Sequence, residues 1–164
     1  MGVKGLDDSG YGLDSTLGPA IIYAANNGAE IISNSWSGQG SSQTIADAVS
    51  YAYNLGAVVV AAAGNNNDDA RNYYPGNLPQ VITVAATDHS DYIAYFSNWG
   101  SKIDVAAPGV DILSLRAAGT SMGTPVDSYY TRADGTSMAT PHVSGLAALV
   151  LAAHSSFSNE ECAR

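Results

Sequence analysis

The sequence AVVVAAA, residues 57–63, decides the fold of this 164-residue chain. It is an uninterrupted apolar run that is rich in β-branched valine and ends at Gly64. Its length and composition favour a β-strand over a helix, and its lack of polar residues predicts that both faces of the strand are buried. A strand of this kind belongs in the middle of a parallel sheet that is covered by helices.

Segments of helical and of strand character alternate around this run. Apolar residues recur at helical spacing over residues 17–25 and 45–52, and an Ala- and Leu-rich stretch at residues 143–153 predicts a longer helix. Further apolar runs, which predict buried strands, lie at residues 29–33 and 81–86, and two shorter apolar pieces at residues 103–107 and 110–115 are split by a Pro-Gly turn. The alternation predicts an α/β fold of three layers, with a mostly parallel sheet and helices on both of its faces.

The composition excludes several classes of function. Hydrophobic residues make up 46% of the chain and charged residues 13%, which is typical of a folded domain. A net charge of −9, from 6 basic and 15 acidic residues, would repel a polyanion, so we expect no nucleic-acid partner. The longest apolar run is strand-sized, so we expect no membrane partner either. The single cysteine, Cys162, leaves the redox compartment open.

The strongest functional signal is the segment GTSMATPHV at residues 135–143, which runs directly into the predicted helix. In the first turn of that helix, Ser137 would lie near unpaired N–H groups and the positive end of the helix dipole, which stabilise negative charge at its Oγ. Gly135 allows a sharp entry into the helix, and Pro141 is tolerable only if it falls in the first turn. Taken alone, such a serine is most often an ordinary N-cap.

Two further signals follow predicted strands. Asn65 comes just after the central strand, at the edge where ligands bind open parallel sheets, and its amide could donate to an oxyanion; the alternative is a simple turn. The segment 35–38 (SWSG) follows the strand at residues 29–33, and its Trp36 could serve either a ligand pocket or the core.

The nonapeptide at residues 135–143 is similar to the nucleophile motif of the subtilisin-like serine proteases, the subtilase family, and this motif is highly specific. AAAGN at residues 61–65 resembles the oxyanion-hole segment of the same family. Segments that look like its scaffold lie at residues 74–76, 96–100 and 103–109. The resemblance runs from residue 5 to residue 153, and only residues 115–130 lack a counterpart, which we interpret as an inserted loop. Within it, GTSMGTP at residues 119–125 repeats the motif, but no apolar helix follows Ser121.

The resemblance implies a serine endopeptidase that hydrolyses proteins or peptides through an acyl-enzyme and is secreted from the cell. Ser137 would be the nucleophile and Asn65 the oxyanion donor. The segment 35–38 would pair with the substrate backbone and border the pocket for the residue before the scissile bond. The residues that the resemblance implies in substrate binding are Ser35, Trp36, Ser37, Gly38, Ala62 and Gly64.

The catalytic aspartate and histidine of the family have no counterpart here. Neither His89 nor His154 has the sequence context of the family's base, and the resemblance implies that His142 packs in the core. We therefore expect residues 1–164 to be the C-terminal part of a catalytic domain, truncated at both ends. The N-terminal strands of the sheet would then belong to a missing part of the same domain, and the isolated chain would be inactive. The alternative is a catalytically dead, subtilase-like module that binds peptides.

The sequence assigns no metal site, although the resemblance implies calcium as a cofactor of the intact protein. Oxygen atoms near Gly76, Leu78 and Val81, with Asp104, resemble a weak cation site of the family. The ammonium group of Lys102 would oppose a cation at that position.

Overall fold

The computed structural model describes residues 1–163 and places the AVVVAAA run inside a four-stranded parallel sheet. The helices are α1 (Asp14–Asn26), α2 (Gln43–Asn54), α3 (Thr136–Ala153) and α4 (Asn159–Cys162), and a 3₁₀ helix lies at Ala70–Asn72. The strands are β1 (Ile31–Asn34), β2 (Gly38–Gln39), β3 (Val58–Ala62), β4 (Tyr73–Tyr74), β5 (Val81–Thr87), β6 (Val105–Pro108), β7 (Ile112–Leu115), β8 (Thr124–Pro125) and β9 (Tyr130–Ala133). The strand order of the main sheet is β1-β3-β5-β6.

The central strand β3 is buried on both faces, as predicted. Val59 and Ala61 pack into the cluster formed with α1 and α2, whereas Val58 and Val60 pack into the cluster formed with α3. Side chains alternate between the two faces of a strand, so one valine-rich run serves two separate cores. The three-layer α/β fold predicted from the sequence is therefore confirmed.

Helix α3 begins at Thr136, so Ser137 lies in its first turn, as predicted from the motif. The helix extends seven residues N-terminal to the apolar run at residues 143–153 and contains most of the GTSMATPHV segment. Pro141 is five positions beyond Thr136, in the second turn. The expectation that Pro141 lies in the first turn is wrong, because the helix already begins at Thr136, directly after Gly135, and Pro141 follows one full turn later. The helix must therefore accommodate a proline at a position where a main-chain N–H is normally used.

The 18 residues of α3 also make it long and apolar enough to cross a membrane, by length and composition alone. Our estimate from apolar runs missed this because serine, threonine and histidine interrupt the helix. Buried residues of the same helix, Ala139, Val143 and Ala147, pack on the parallel sheet. We therefore describe α3 as a core helix of the domain.

Residues 115–130 connect two strands of a small antiparallel sheet with the order β7-β9-β8. The segment contains β8, in which Thr124 and Pro125 pair with Arg132 and Thr131. It is thus partly a strand rather than only a loop, and its status as an insertion stays a prediction. Ser121 is exposed and precedes β8 instead of a helix, as we expected from the sequence.

Lys102 contacts two of the four residues whose oxygens resemble a cation site, Val81 and Asp104. Its Nζ donates to the main-chain oxygen of Val81 at 3.1 Å, to Thr83 Oγ1 at 3.0 Å and to Asp104 Oδ2 at 3.0 Å. The lysine side chain is only 19% exposed. A cation bound among these oxygens would have to displace the ammonium group.

We expect Lys102→Met to destabilise the chain by about 1–3 kcal/mol, because oxygens that accept from a charged donor would lose it. Pulse proteolysis in increasing urea measures this change as a lower midpoint of digestion. Lys4→Met is the matched control, since the Lys4 side chain is 76% exposed and pairs only with exposed Asp8. Equal midpoints for the two variants would contradict a structural role for Lys102.

Candidate active site

Ser137 is the second residue of α3 and is half-buried. The residue before the helix, Gly135, has φ +152° and ψ 156°, a backbone conformation that is essentially restricted to glycine. This confirms the sharp entry predicted from the sequence. The main-chain N–H of Ser137 therefore lies in the first turn, where helical N–H groups have no intrahelical acceptor.

Asn65 is held by the residue that precedes Ser137. Its Oδ1 accepts hydrogen bonds from the main-chain N–H of Thr136 at 2.8 Å and from Thr136 Oγ1 at 2.9 Å. Thr136 Oγ1 also accepts from the Gly64 N–H at 3.2 Å, and Thr136 is fully buried. Within residues 1–163 no group accepts a hydrogen bond from Asn65 Nδ2, so the amide nitrogen is free to donate to a ligand.

The loop that carries Asn65 is built around the fully buried Asn98. Asn98 Oδ1 accepts from the main-chain N–H groups of Asn66 at 2.9 Å and Asp68 at 3.1 Å, and its Nδ2 donates to the Ala63 oxygen at 2.8 Å. Gly64 has φ +102°, and a Cβ at that position would overlap the Asn98 amide. Asn98 therefore fixes the conformation of the loop, and this conformation places the Asn65 side chain beside Thr136.

The far end of this loop is held by an ion pair. Asp69 caps the 3₁₀ helix by accepting from the Arg71 N–H, and its carboxylate also binds the Arg71 guanidinium, with Nη2 to Oδ2 at 2.6 Å. These hydrogen bonds hold the pKa of Asp69 below its ordinary value. Hydrogen bonds to Asn98 and to Asp69 thus stabilise the two ends of the loop.

Ser137 and Ser35 form a reciprocal pair. Ser137 Oγ donates to the main-chain oxygen of Ser35 at 2.8 Å, and Ser35 Oγ donates to the main-chain oxygen of Ser137 at 2.9 Å. The pair joins the first turns of α3 to the end of β1. Asn65 and Ser137 also line one groove, together with residues 122–124.

Among residues 1–163 no histidine is bonded to Ser137. His142 Nδ1 lies 2.9 Å from the Met138 oxygen, and the side chain is exposed, contrary to the packing role that we expected. His154 follows α3 and stacks on Phe157 with ring centroids 4.6 Å apart, and His89 lies in a turn after β5. That none of the three histidines is the base stays a prediction.

The residues predicted to bind substrate are brought together only in part. The ends of β1 and β3 lie side by side, because Asn34 pairs with Ala61. Ser37 Oγ consequently lies near Gly64, 3.2 Å from the place that a Cβ would take. Ser35, Ser37 and Gly64 thus share the carboxyl edge of the sheet with Asn65, while Ala62 is buried inside β3.

Trp36 and Gly38 are directed elsewhere. The Trp36 ring packs against the cluster beneath α1 and α2 and meets the Tyr74 ring edge to face, with centroids 6.4 Å apart. Gly38 belongs to β2 and pairs with Tyr74 of β4. The structure therefore gives Trp36 a place in the core, and its contact with substrate stays a prediction.

The sequence signals missed Thr136 and Asn98. Thr136 stands next to Ser137, and Asn98 lies in the FSNWG segment at residues 96–100, which we interpreted only as scaffold. The polar pair Ser97-Asn98 is fully buried, and a buried polar pair in a turn-like segment signals a network of this kind. Within residues 1–163 no group of three or more metal-ligating side chains forms a site.

Comparison with known proteins identifies the family. The family profile described as the subtilase family matches residues 1–164. This chain belongs to the subtilase family. The thermophilic serine proteinase of Bacillus sp. (strain AK1) is 46% identical over 157 residues, which are 92% of this chain and 35% of that protein. Thermitase of Thermoactinomyces vulgaris is 43% identical over 166 residues, which are 97% of this chain and 53% of that protein.

Solved subtilase structures agree with the fold. A cold-adapted subtilisin-like serine proteinase superposes with a TM-score of 0.84 at 35% identity, over 96% of this chain and 55% of that one. A protease from Pseudoalteromonas arctica gives a TM-score of 0.85 at 40% identity, over 93% and 50% of the two chains. This subtilase chain therefore spans about a third to a half of the length of these relatives.

Proposed function

We propose that this subtilase chain supplies the nucleophile and the oxyanion hole of a serine endopeptidase. The observation that carries the proposal is the position of Ser137 in the first turn of α3, on the same groove as the free amide nitrogen of Asn65. Ser137 Oγ attacks the scissile carbonyl and gives its proton to a base. The resulting oxyanion accepts hydrogen bonds from Asn65 Nδ2 and the Ser137 N–H. Expulsion of the amine leaves an acyl-enzyme, which water then hydrolyses.

The base and its aspartate belong, in this proposal, to an N-terminal part of the same domain. Two features support such a partner. Among residues 1–163, strand β1 pairs only with β3 and leaves its other edge open, and an open edge is normally covered. On α3, Leu146 and Leu149 are 58% and 69% exposed, although the helix packs on the sheet with its opposite side. The chain alone is then inactive, because the described part of it gives Ser137 Oγ a main-chain oxygen as its hydrogen-bond acceptor and no histidine that could take its proton.

The substrates in this proposal are proteins or peptides, bound along the groove beside Ser137, and the intact enzyme acts outside the cell. One relative is named a cuticle-degrading serine protease, from Arthrobotrys oligospora, and is 41% identical over 164 residues. A protease that degrades cuticle meets its substrate outside the cell that makes it. This supports an extracellular location for the subtilase described here.

A fusion that supplies the missing residues tests the proposed function. We expect the N-terminal part of thermitase, joined to this chain, to hydrolyse casein, and Ser137→Ala in the fusion to abolish the hydrolysis. The chain without the fusion should show no cleavage. A folded fusion that binds peptides without cleaving them would instead favour a peptide-binding module. Casein cleavage by the chain alone that Ser137→Ala removes would contradict the need for an external base.

The coding sequence upstream of this chain gives an independent check. We expect it to continue in frame through a strand with an aspartate and a His-Gly-Thr-His-like segment. A true start site immediately upstream would contradict the proposed N-terminal part.

A further inference from the structure

Pro141 leaves one main-chain oxygen of α3 without its helical donor. In an α-helix the oxygen of residue i accepts from the N–H of residue i+4, so the Ser137 oxygen would accept from residue 141. Proline has no N–H, and its ring also crowds the oxygen four residues earlier. The residue whose oxygen is affected in this way is the proposed nucleophile itself.

The hydroxyl of Ser35 fills the place of the missing donor. Its Oγ donates to the Ser137 oxygen at 2.9 Å, which is an ordinary hydrogen-bond length. The donor comes from a residue 102 positions earlier in the chain, at the end of β1. A bond that is local in a regular helix is therefore replaced here by a tertiary bond.

A second serine, in β1 itself, reinforces this contact. Ser144 Oγ lies 2.8 Å from Ser33 Oγ and 3.1 Å from the Thr140 oxygen, so it can donate to Thr140 while it accepts from the Ser33 hydroxyl. Ser33 lies in β1 and Ser35 directly follows Asn34, the last residue of that strand. The edge of β1 is thus joined to α3 on either side of Pro141.

We propose that Ser35 is a positioning residue for the nucleophile, whose hydroxyl replaces the N–H that Pro141 lacks. Its main-chain oxygen accepts from Ser137 Oγ at 2.8 Å, so the same residue fixes both the backbone and the side chain of Ser137. The resemblance to subtilases implied a substrate-binding role for this segment, and the present proposal gives the Ser35 hydroxyl a different task. As a role in catalysis, it rests on the proposed protease function.

A double-mutant cycle between Ser35 and Pro141 tests the replacement directly. In the chain of residues 1–164, amide hydrogen exchange is measured by mass spectrometry on peptides that cover the first turns of α3. We expect Ser35→Ala to speed exchange there about fivefold, the equivalent of about one lost hydrogen bond. In the Pro141→Ala background, where residue 141 regains its N–H, the same substitution should change exchange by less than about twofold. Ser35→Thr keeps the hydroxyl and should behave as the unmodified chain.

Kinetics of the thermitase fusion separate positioning from substrate binding. We expect Ser35→Ala to lower kcat about tenfold with KM nearly unchanged, and Pro141→Ala to restore kcat in the double variant. A rise in KM that Pro141→Ala does not repair would overturn the proposal in favour of substrate binding. Equal effects of Ser35→Ala on exchange in both backgrounds would overturn it as well. If the fusion is inactive while the exchange coupling persists, the protease proposal fails and the replacement of the missing donor stands.

Discussion

Asn65→Asp should leave the chain folded and yet lower kcat of the thermitase fusion by two orders of magnitude or more. An aspartate oxygen can accept from the Thr136 N–H and Oγ–H as Asn65 Oδ1 does. A carboxylate near the first turn of α3 also interacts favourably with the helix dipole, by about 0.3–1 kcal/mol. The replacement removes only the NH₂ donor and adds a negative charge beside the developing oxyanion. Loss of one such donor costs about 10²–10³-fold in kcat, a range known from subtilisin, a member of the same family.

The informative result is that Asn65→Asp lowers kcat without lowering the stability of the chain. Stability, measured as the urea midpoint of pulse proteolysis, should stay equal or rise, while kcat falls. Asn66→Asp is the matched control, because it introduces the same charge one residue away without touching Thr136. A similar fall in kcat for both variants would indicate a general charge effect and would count against Asn65 as the oxyanion donor.

Gly64→Ala should have the largest effect on stability among the substitutions considered, about 2–5 kcal/mol. Part of the cost comes from the backbone, because φ of +102° is unfavourable for any residue with a Cβ. The rest comes from the overlap between that Cβ and the buried amide of Asn98. Since Asn98 bonds the main chain on both sides of Asn65, moving it would disturb the oxyanion hole together with the fold.

Gly56→Ala separates the two contributions. Gly56 has φ +93°, close to that of Gly64, but a Cβ there would have no atom within 4 Å. We expect it to cost about 1–2 kcal/mol, which is the backbone term alone. Pulse proteolysis of the two variants side by side measures the difference. Equal losses would show that contact with Asn98 adds nothing to the need for glycine at position 64.

The sequence predicted the main sheet well because its strands are continuous apolar runs. Residues 57–63 and 81–86 correspond closely to β3 and β5, and the flanking helical stripes correspond to α1 and α2. The two-residue strands β2, β4 and β8 could not be found in this way, since a pair of residues carries no periodicity. The motif correctly placed Ser137 in the first turn of α3, and only Pro141, which lies in the second turn, differs from the expectation.

The site residues that belong to a sequence motif could be predicted, whereas those that act through long-range hydrogen bonds could not. Ser137 and Asn65 stand in recognisable segments, and the structure brings both to one groove. The contact of Thr136 with Asn65 spans 71 positions, and that of Ser35 with Ser137 spans 102. No spacing in the sequence indicates such partners. A proline in the second turn of a helix could have raised the question of which group replaces its N–H.

Lys102 has a further consequence for how this subtilase responds to its surroundings. A bound metal ion leaves its site upon dilution or when a chelator removes it, and its occupancy follows a dissociation constant. The ammonium group of Lys102 is part of the chain, and its three contacts to Val81, Thr83 and Asp104 join the start of β5 to the segment before β6. At this corner, the positive charge that contacts the oxygens is covalently part of the chain, so we expect a chelator to leave these three contacts in place.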